Sequence, residues 1–196
     1  MKKNIEQEKA IAQLEGPVIL ISCPGSGKTT TLLRRINHML EVGIPPKKIL
    51  MITFTKAAAQ EMSVKFKKKF GEPNGITFST IHALCLKILM TYGGLSAENI
   101  IKTSDQWKFL LETARKCQSV CDPAKAAGNF QMLYSAAMNN RMSPSEVNPK
   151  DIKGISRKDF LFMSDEYRRM KERTGYIDFD DMLVKAYELM TGNPQV

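Results

Sequence analysis

The sequence predicts an α/β protein, with a parallel sheet and its connecting helices in the first half and an all-α subdomain in the second. Short runs of β-branched and aliphatic residues alternate with helical patterns up to residue 92, as βαβ units require. A glycine-rich turn at residues 22–29 separates the first such run from the helical pattern that follows it. Beyond Gly93-Gly94 the β-rich runs stop, and the pattern is helical from Asn99 to Tyr187.

Asn4-Ile-Glu-Gln7 has the form of a capping box and opens a short helix to about Leu14, which Glu15-Gly16-Pro17 breaks. Residues 18–22, Val-Ile-Leu-Ile-Ser, read as a strand buried on both faces. From Lys28 to about Val42, apolar residues at Leu32, Leu33, Ile36, Met39 and Leu40 recur at helical offsets until Gly43. Pro45-Pro46 is a turn, Ile49 to Phe54 a second strand, and Ala57 to Phe70 a second long helix. Residues 76–79 form a third short strand, followed by a helix from about Ile81 to Tyr92. In the second half, breaks fall near Asp122-Pro123, Asn139-Asn140, Ser143-Pro144 and Gly154.

The 196 residues are 43% hydrophobic and 25% charged, the balance of an ordinary globular protein. The apolar stretches are far short of a membrane span, and Met1-Lys-Lys is followed at once by polar residues rather than a signal's apolar region. A cytoplasmic location is expected. Cys23, Cys85, Cys117 and Cys121 are expected to be reduced thiols, and the Cys117–Cys121 spacing suits one face of a helix better than a zinc knuckle. Net charge is +9, unevenly spread: residues 1–90 hold 14 basic against 6 acidic residues, and residues 91–196 hold 15 against 14. A basic first half points to a polyanionic partner, a nucleic acid or nucleotide, with a solvated basic helix face as the competing explanation.

Ser22-Cys-Pro-Gly-Ser-Gly-Lys-Thr29 occupies the strand-to-helix context of a Walker A loop. Glycines let successive N–H groups turn inward on phosphate oxygens, and the following helix adds its positive end. Pro24, Gly25, Ser26, Gly27, Lys28, Thr29 and Thr30 are the candidate nucleotide-binding residues. Lys28 would reach the β- and γ-phosphates of ATP and Thr29 would offer its hydroxyl to Mg²⁺, which makes these two the candidate catalytic residues. Ser22 departs from the strict pattern, which has glycine there. Kinases, GTPases, transporters and helicases all use such loops, so the loop alone does not select a function.

Three further segments resemble the superfamily 1 helicases of the UvrD/Rep/PcrA type. Residues 4–11 are similar to that family's Q motif, and the resemblance makes Gln7 the residue that reads adenine. An amide can donate to one ring nitrogen while accepting from the exocyclic amine. Thr53-Phe-Thr-Lys-Ala-Ala-Ala-Gln-Glu-Met62 resembles motif Ia, TFTxxAAxEM. That match implies that Phe54 stacks on a base of single-stranded DNA while Thr55 and Lys56 lie near the phosphates, with Thr53 a further candidate DNA-binding residue. Phe54 as a strand-end core residue is the alternative. Where many relatives have Asn-Lys, this chain has Lys56-Ala57. Residues 78–89 resemble the TxH segment, which implies DNA contacts at Thr80 and His82, against the plain structural histidine.

Near the C-terminus, residues 177–183 resemble the DFDDLL segment that closes the family's inserted 1B subdomain. Asp178, Asp180 and Asp181 are expected to cap a helix rather than hold a metal, with Phe179 and Leu183 packing inward. Phe160 to Glu166 imitates a Walker B strand, but the strongly helical residues after it mark a helix instead.

The resemblance implies a partial RecA-like P-loop NTPase sheet with an inserted all-α subdomain: domain 1A over residues 1–92, 1B over 93–185, and the start of the return to 1A over 186–196. It implies a parent ATP-dependent DNA helicase of 3′-to-5′ polarity, using ATP and Mg²⁺, acting on single-stranded DNA and single-strand/duplex junctions, with no membrane partner. The family's motif II, DExQD, does not occur within the 196 residues, so the segment is expected to be catalytically incomplete. A stand-alone nucleotide- or DNA-binding module and a P-loop small-molecule kinase are the alternatives.

Overall fold

The computed structural model describes residues 4–72, 74–148 and 154–193. The chain divides into two compact units, between Ala83 and Leu84. In the first unit the order is α1 (Ile5–Ala12), α2 (Lys28–Glu41), β1 (Leu50–Thr53), α3 (Lys56–Phe70) and β2 (Thr77–Thr80). A 3₁₀ turn, Pro46–Lys48, leads into β1, as proline at its first position permits. The strands β1 and β2 pair in parallel, with Leu50 opposite Thr77 and Thr53 opposite Thr80. A parallel pair needs a crossover, and α3 supplies it. Leu33 and Ile36 of α2, Ile49, and Met62 and Phe66 of α3 are buried together. Phe66 lies 5.3 Å from the Phe70 ring and 6.0 Å from that of Phe78, which locks the crossover onto the sheet.

Two expectations for this unit are corrected. Residues 18–22 form no strand, and Ile19 and Ile21 stand 86% and 92% exposed. A strand that hides both faces needs a paired neighbour, and among the described residues the only ladder is the one between β1 and β2. The run is apolar enough for a central strand, but among the described residues nothing pairs with it. The Asn4–Gln7 capping box also fails to form. Asn4 caps α1 by accepting from the Glu6 N–H at 3.1 Å, while the Gln7 amide is engaged elsewhere.

Helix α4 (Ile81–Tyr92) runs from the first unit into the second, which continues with α5 (Thr103–Ala114), α6 (Pro123–Asn139), α7 (Arg157–Thr174) and α8 (Phe179–Gly192). Leu110, Ala127, Phe130, Phe160, Met163 and Tyr167 form its centre, with Phe130 in ring contact with Tyr134, Phe160 and Tyr167. A smaller cluster gathers Cys85 and Leu89 of α4 against Ile177, Met182 and Ala186. The Phe160–Glu166 run lies inside α7, as its helical continuation predicts.

Cys117 and Cys121 do not share a helix face. Helix α5 has ended at Ala114, and Asp122 already caps α6 through the Lys125 N–H, so both cysteines sit in the connection. Burial, with the Asp159 carboxylate beside it, pushes the Cys117 thiol up to about 11. Phe179 is half exposed rather than packed inward. The capping box between Asp178 and Asp181 fixes the rotation of α8, and that rotation buries Met182 and Ala186 instead. Among the described residues no helix is long and apolar enough to cross a membrane.

Candidate nucleotide and nucleic-acid site

The phosphate-loop candidate runs into the N-terminus of α2. Gly25 and Gly27 adopt φ of 78° and 90°, a left-handed region that costs other residues about 1–2 kcal/mol. The Ser26 N–H and hydroxyl both turn back on the Cys23 carbonyl, at 3.3 and 2.7 Å, closing the turn. Gly27 caps α2 without a side chain, and the first turn of α2 contains no acid. The helix therefore presents its positive end unneutralised. Among the described residues no protein group bonds to the side chain of Lys28 or Thr29, and Lys28 is exposed. The donor set is one that suits a polyphosphate: backbone N–H groups, an ammonium and a hydroxyl. Pro24 and Thr30 are exposed on either side of the turn, whereas Thr31 is buried and returns its hydroxyl to the Gly27 carbonyl.

Gln7 reaches this loop directly. Its Nε2 donates to the Ser26 carbonyl at 2.8 Å, bridging nineteen positions of sequence. Two arginines of α2 hold α1 in place for that contact. Arg34 pairs with Glu8 at 2.8 Å, and Arg35 donates to the Ala10 carbonyl. Neither arginine was singled out from the sequence, because nothing in their spacing links them to a helix some 25 positions earlier.

The second group of candidates gathers at the C-terminal edge of the two strands. Phe54 is 94% exposed there, just past the end of β1. Thr53 donates its hydroxyl to the Thr55 carbonyl at 2.9 Å, and Thr55 caps α3 by accepting from the Ala58 N–H at 3.1 Å. Thr80 accepts from the Ala83 N–H at 3.2 Å at the start of α4. His82 follows, half-buried, as the second residue of that helix. Two helix N-termini thus open on one edge, beside the exposed Lys56. A groove of about 750 Å³ next to them is lined by Lys56, Ser63, Phe78, Thr80 and Ala83. Threonines 55 and 80 serve first as caps, and their hydroxyl hydrogens remain available to an acceptor outside.

The sequence pattern of the UvrD/REP helicase N-terminal domain matches residues 3–196. The chain belongs to this family. Two relatives are similar over 98% of the chain. YjcD of Bacillus subtilis, named provisionally as an ATP-dependent DNA helicase, is 31% identical. PcrA of Staphylococcus aureus, named as an ATP-dependent DNA helicase, is 29% identical. The chain spans 26% and 27% of their lengths, about a quarter of each.

In this UvrD/REP segment the acids of residues 178–181 are committed to structure. Asp178 and Asp181 cap each other's backbone N–H groups and flank Lys171, whose Nζ lies 3.0 and 2.7 Å away. Asp180 accepts from Ser135 at 2.8 Å and Asn139 at 3.2 Å. The Asp165-Glu166 pair, half-buried on α7, forms ion pairs with Arg168 and Arg169.

Proposed function

We propose that this chain is the ATP- and single-strand-DNA-binding segment of a 3′-to-5′ DNA helicase. In this reading residues 1–92 are part of a RecA-like domain 1A, 93–185 its inserted 1B subdomain, and 186–196 the return. Gln7 and residues 24–30 would take the nucleotide: Gln7 at adenine, the loop N–H groups and Lys28 at the phosphates. Mg²⁺ held at the Thr29 hydroxyl would supply charge neutralisation on the β- and γ-phosphates. Thr53, Phe54, Thr55, Lys56, Thr80 and His82 would hold a single strand, with single-strand/duplex junctions as the wider substrate.

The observation that carries this reading is the position of Phe54. An aromatic ring 94% exposed at the C-terminal edge of a parallel sheet contributes nothing to the core. It has the form of a sequence-tolerant stacking platform, with the Lys56 ammonium two residues on to meet the backbone charge. A small-molecule kinase has no use for that arrangement.

Fluorescence anisotropy with an oligothymidylate tests it. Phe54→Ala should weaken single-strand affinity by about 1–3 kcal/mol, the worth of one stacked base, without lowering the melting temperature. Unchanged affinity would remove the single-strand site from this edge.

A further inference from the structure

The charge surplus of the first unit does not lie at the candidate site. Lys28 and Lys56 are its only lysines, whereas Lys47, Lys48, Lys65, Lys67, Lys68 and Lys69 make up six of the fourteen basic residues before position 91. All six are exposed. They lie toward the opposite edge of the sheet. Lys47 and Lys48 belong to the 3₁₀ turn that feeds the N-terminal end of β1, and the three adjacent lysines fill the last turn of α3, which returns the chain toward the N-terminal end of β2. Two observations tie these elements together. The Thr77 N–H donates to the Ile49 carbonyl at 3.1 Å. A Cβ on Gly75 would stand 3.2 Å from Pro46 Cβ and 3.4 Å from Lys47 Cγ, so Gly75 packs closely against the turn, with a φ of 87° that favours glycine there. The strands between this edge and Phe54 span roughly 13 Å.

Within α3, Lys65, Lys68 and Lys69 follow the i, i+3, i+4 spacing that puts them on one face. Lys65 is paired with Glu61 at 2.5 Å and Lys67 with Glu72. Among the described residues no carboxylate pairs with Lys47, Lys48, Lys68 or Lys69. One or two lysines would suffice to complement the negative end of α3; further ones mainly repel each other unless a polyanion lies over them.

We propose that this lysine surface is a second nucleic-acid contact, one that takes the phosphate backbone of a duplex. The composition of the surface selects that ligand. Its aromatic neighbours are Phe66, which is buried, and Phe70, which is half-buried against Phe66 with the Lys69 ammonium 5.4 Å from its ring, so no ring among the lysines stands fully open for an unpaired base to stack on. Point charges without stacking groups suit the densest phosphate array, a double strand, and read no sequence. A membrane surface fits less well, because the apolar stripe of α3 (Ala59, Met62 and Phe66) is already buried in the core and leaves no apolar face to insert. The proposal is independent of the role given to Phe54, which faces the other edge.

The test is duplex binding by the full 196-residue chain, measured by anisotropy on a labelled blunt duplex across a potassium chloride series. Three variants are compared: K47Q/K48Q/K68Q/K69Q, the same four positions changed to Arg, and a control, K108Q/K116Q/K125Q/K158Q, that removes as much charge from the second unit. The first should bind at least about tenfold more weakly at moderate salt, with the slope of log affinity against log salt reduced by about 3–4. The Arg variant should keep both affinity and slope, and the control should stay close to the parent chain. The proposal is overturned by no duplex binding in the parent chain, by an unchanged slope in the first variant, or by an equal loss in the control. Loss of phosphatidylserine-vesicle binding with duplex binding intact would also overturn it and assign the surface to lipid.

Discussion

At the scale of single residues, Lys171 carries the sharpest consequence. Its side chain is 9% exposed, its Nζ lies between the Asp178 and Asp181 carboxylates, and it stands 4.5 Å over the Tyr167 ring and 5.1 Å over that of Tyr134. Burial works against its charge, but the two carboxylates outweigh burial and raise its pKa above the ordinary lysine value. Tyr167 completes the arrangement by donating to Asp178 at 2.9 Å while accepting from Gln106 at 2.7 Å. Removing the cation leaves carboxylates in a poorly solvated site, and that loss exceeds what the pair contributes over an apolar filling. Lys171→Met should therefore destabilise the second unit by about 3–5 kcal/mol in urea unfolding, and adding Asp178→Asn and Asp181→Asn should recover most of it. A single variant as stable as the parent chain would show that the carboxylates do not depend on Lys171.

At the scale of elements, the same residues join α7 to the cap of α8 and make that junction pH-sensitive. Burial pushes the Asp178 carboxyl up, but Lys171, the Asp181 N–H and Tyr167 together hold it below the ordinary 3.8. Asp181, buried beside Asp178, is raised above that value. A depressed carboxyl gives stability that is present above its unfolded pKa and lost as pH falls through the folded one, whereas a raised carboxyl takes its proton early and weakens nothing. Thermal melts of the second unit should hold down to about pH 4 and drop below it, with a smaller drop for Asp178→Asn. Melting temperatures that decline steadily from pH 7 would assign the acid sensitivity to other groups. This cap was legible in the sequence, since aspartates before an apolar helical pattern predict an N-terminus, and so were α2, α3, α4 and the parallel pairing of β1 with β2. Those signals are local: they need only periodicity and a capping side chain. The fate of residues 18–22 was not legible, because a run of aliphatic residues specifies a preference for burial and not the neighbour that satisfies it. The Cys117–Cys121 connection failed for a related reason: helical spacing cannot show that α5 has already ended three residues before Cys117. At the site, the helix that follows the phosphate-loop candidate could be read off directly, whereas the strand expected before it, residues 18–22, does not form. The Gln7–Ser26 hydrogen bond and the arginines behind it depend on tertiary placement of α1.

At the scale of the whole molecule, the phosphate-loop candidate and the proposed single-strand edge lie in one unit, and in the proposed reading the residues for hydrolysis are incomplete. Cleaving the terminal phosphoanhydride requires an acid that orients the metal and a group that positions the attacking water, in addition to Lys28 and Thr29. The one acidic pair that imitates such a strand end, Asp165-Glu166, lies on α7 and is bound by Arg168 and Arg169. The chain spans about a quarter of the length of its PcrA and YjcD relatives. The expected outcome is that the chain binds a fluorescent ATP analogue in the presence of magnesium but releases almost no phosphate, with or without oligothymidylate. Lys28→Ala should abolish the analogue binding, because without its ammonium the loop retains only neutral donors for a polyanion. Extending the chain to the full length of its relatives should bring DNA-stimulated phosphate release, and the same Lys28→Ala change should eliminate it. Robust DNA-stimulated turnover by the 196-residue chain alone would place a working acid within it, and Asp165→Asn and Glu166→Gln would then show which residue that is.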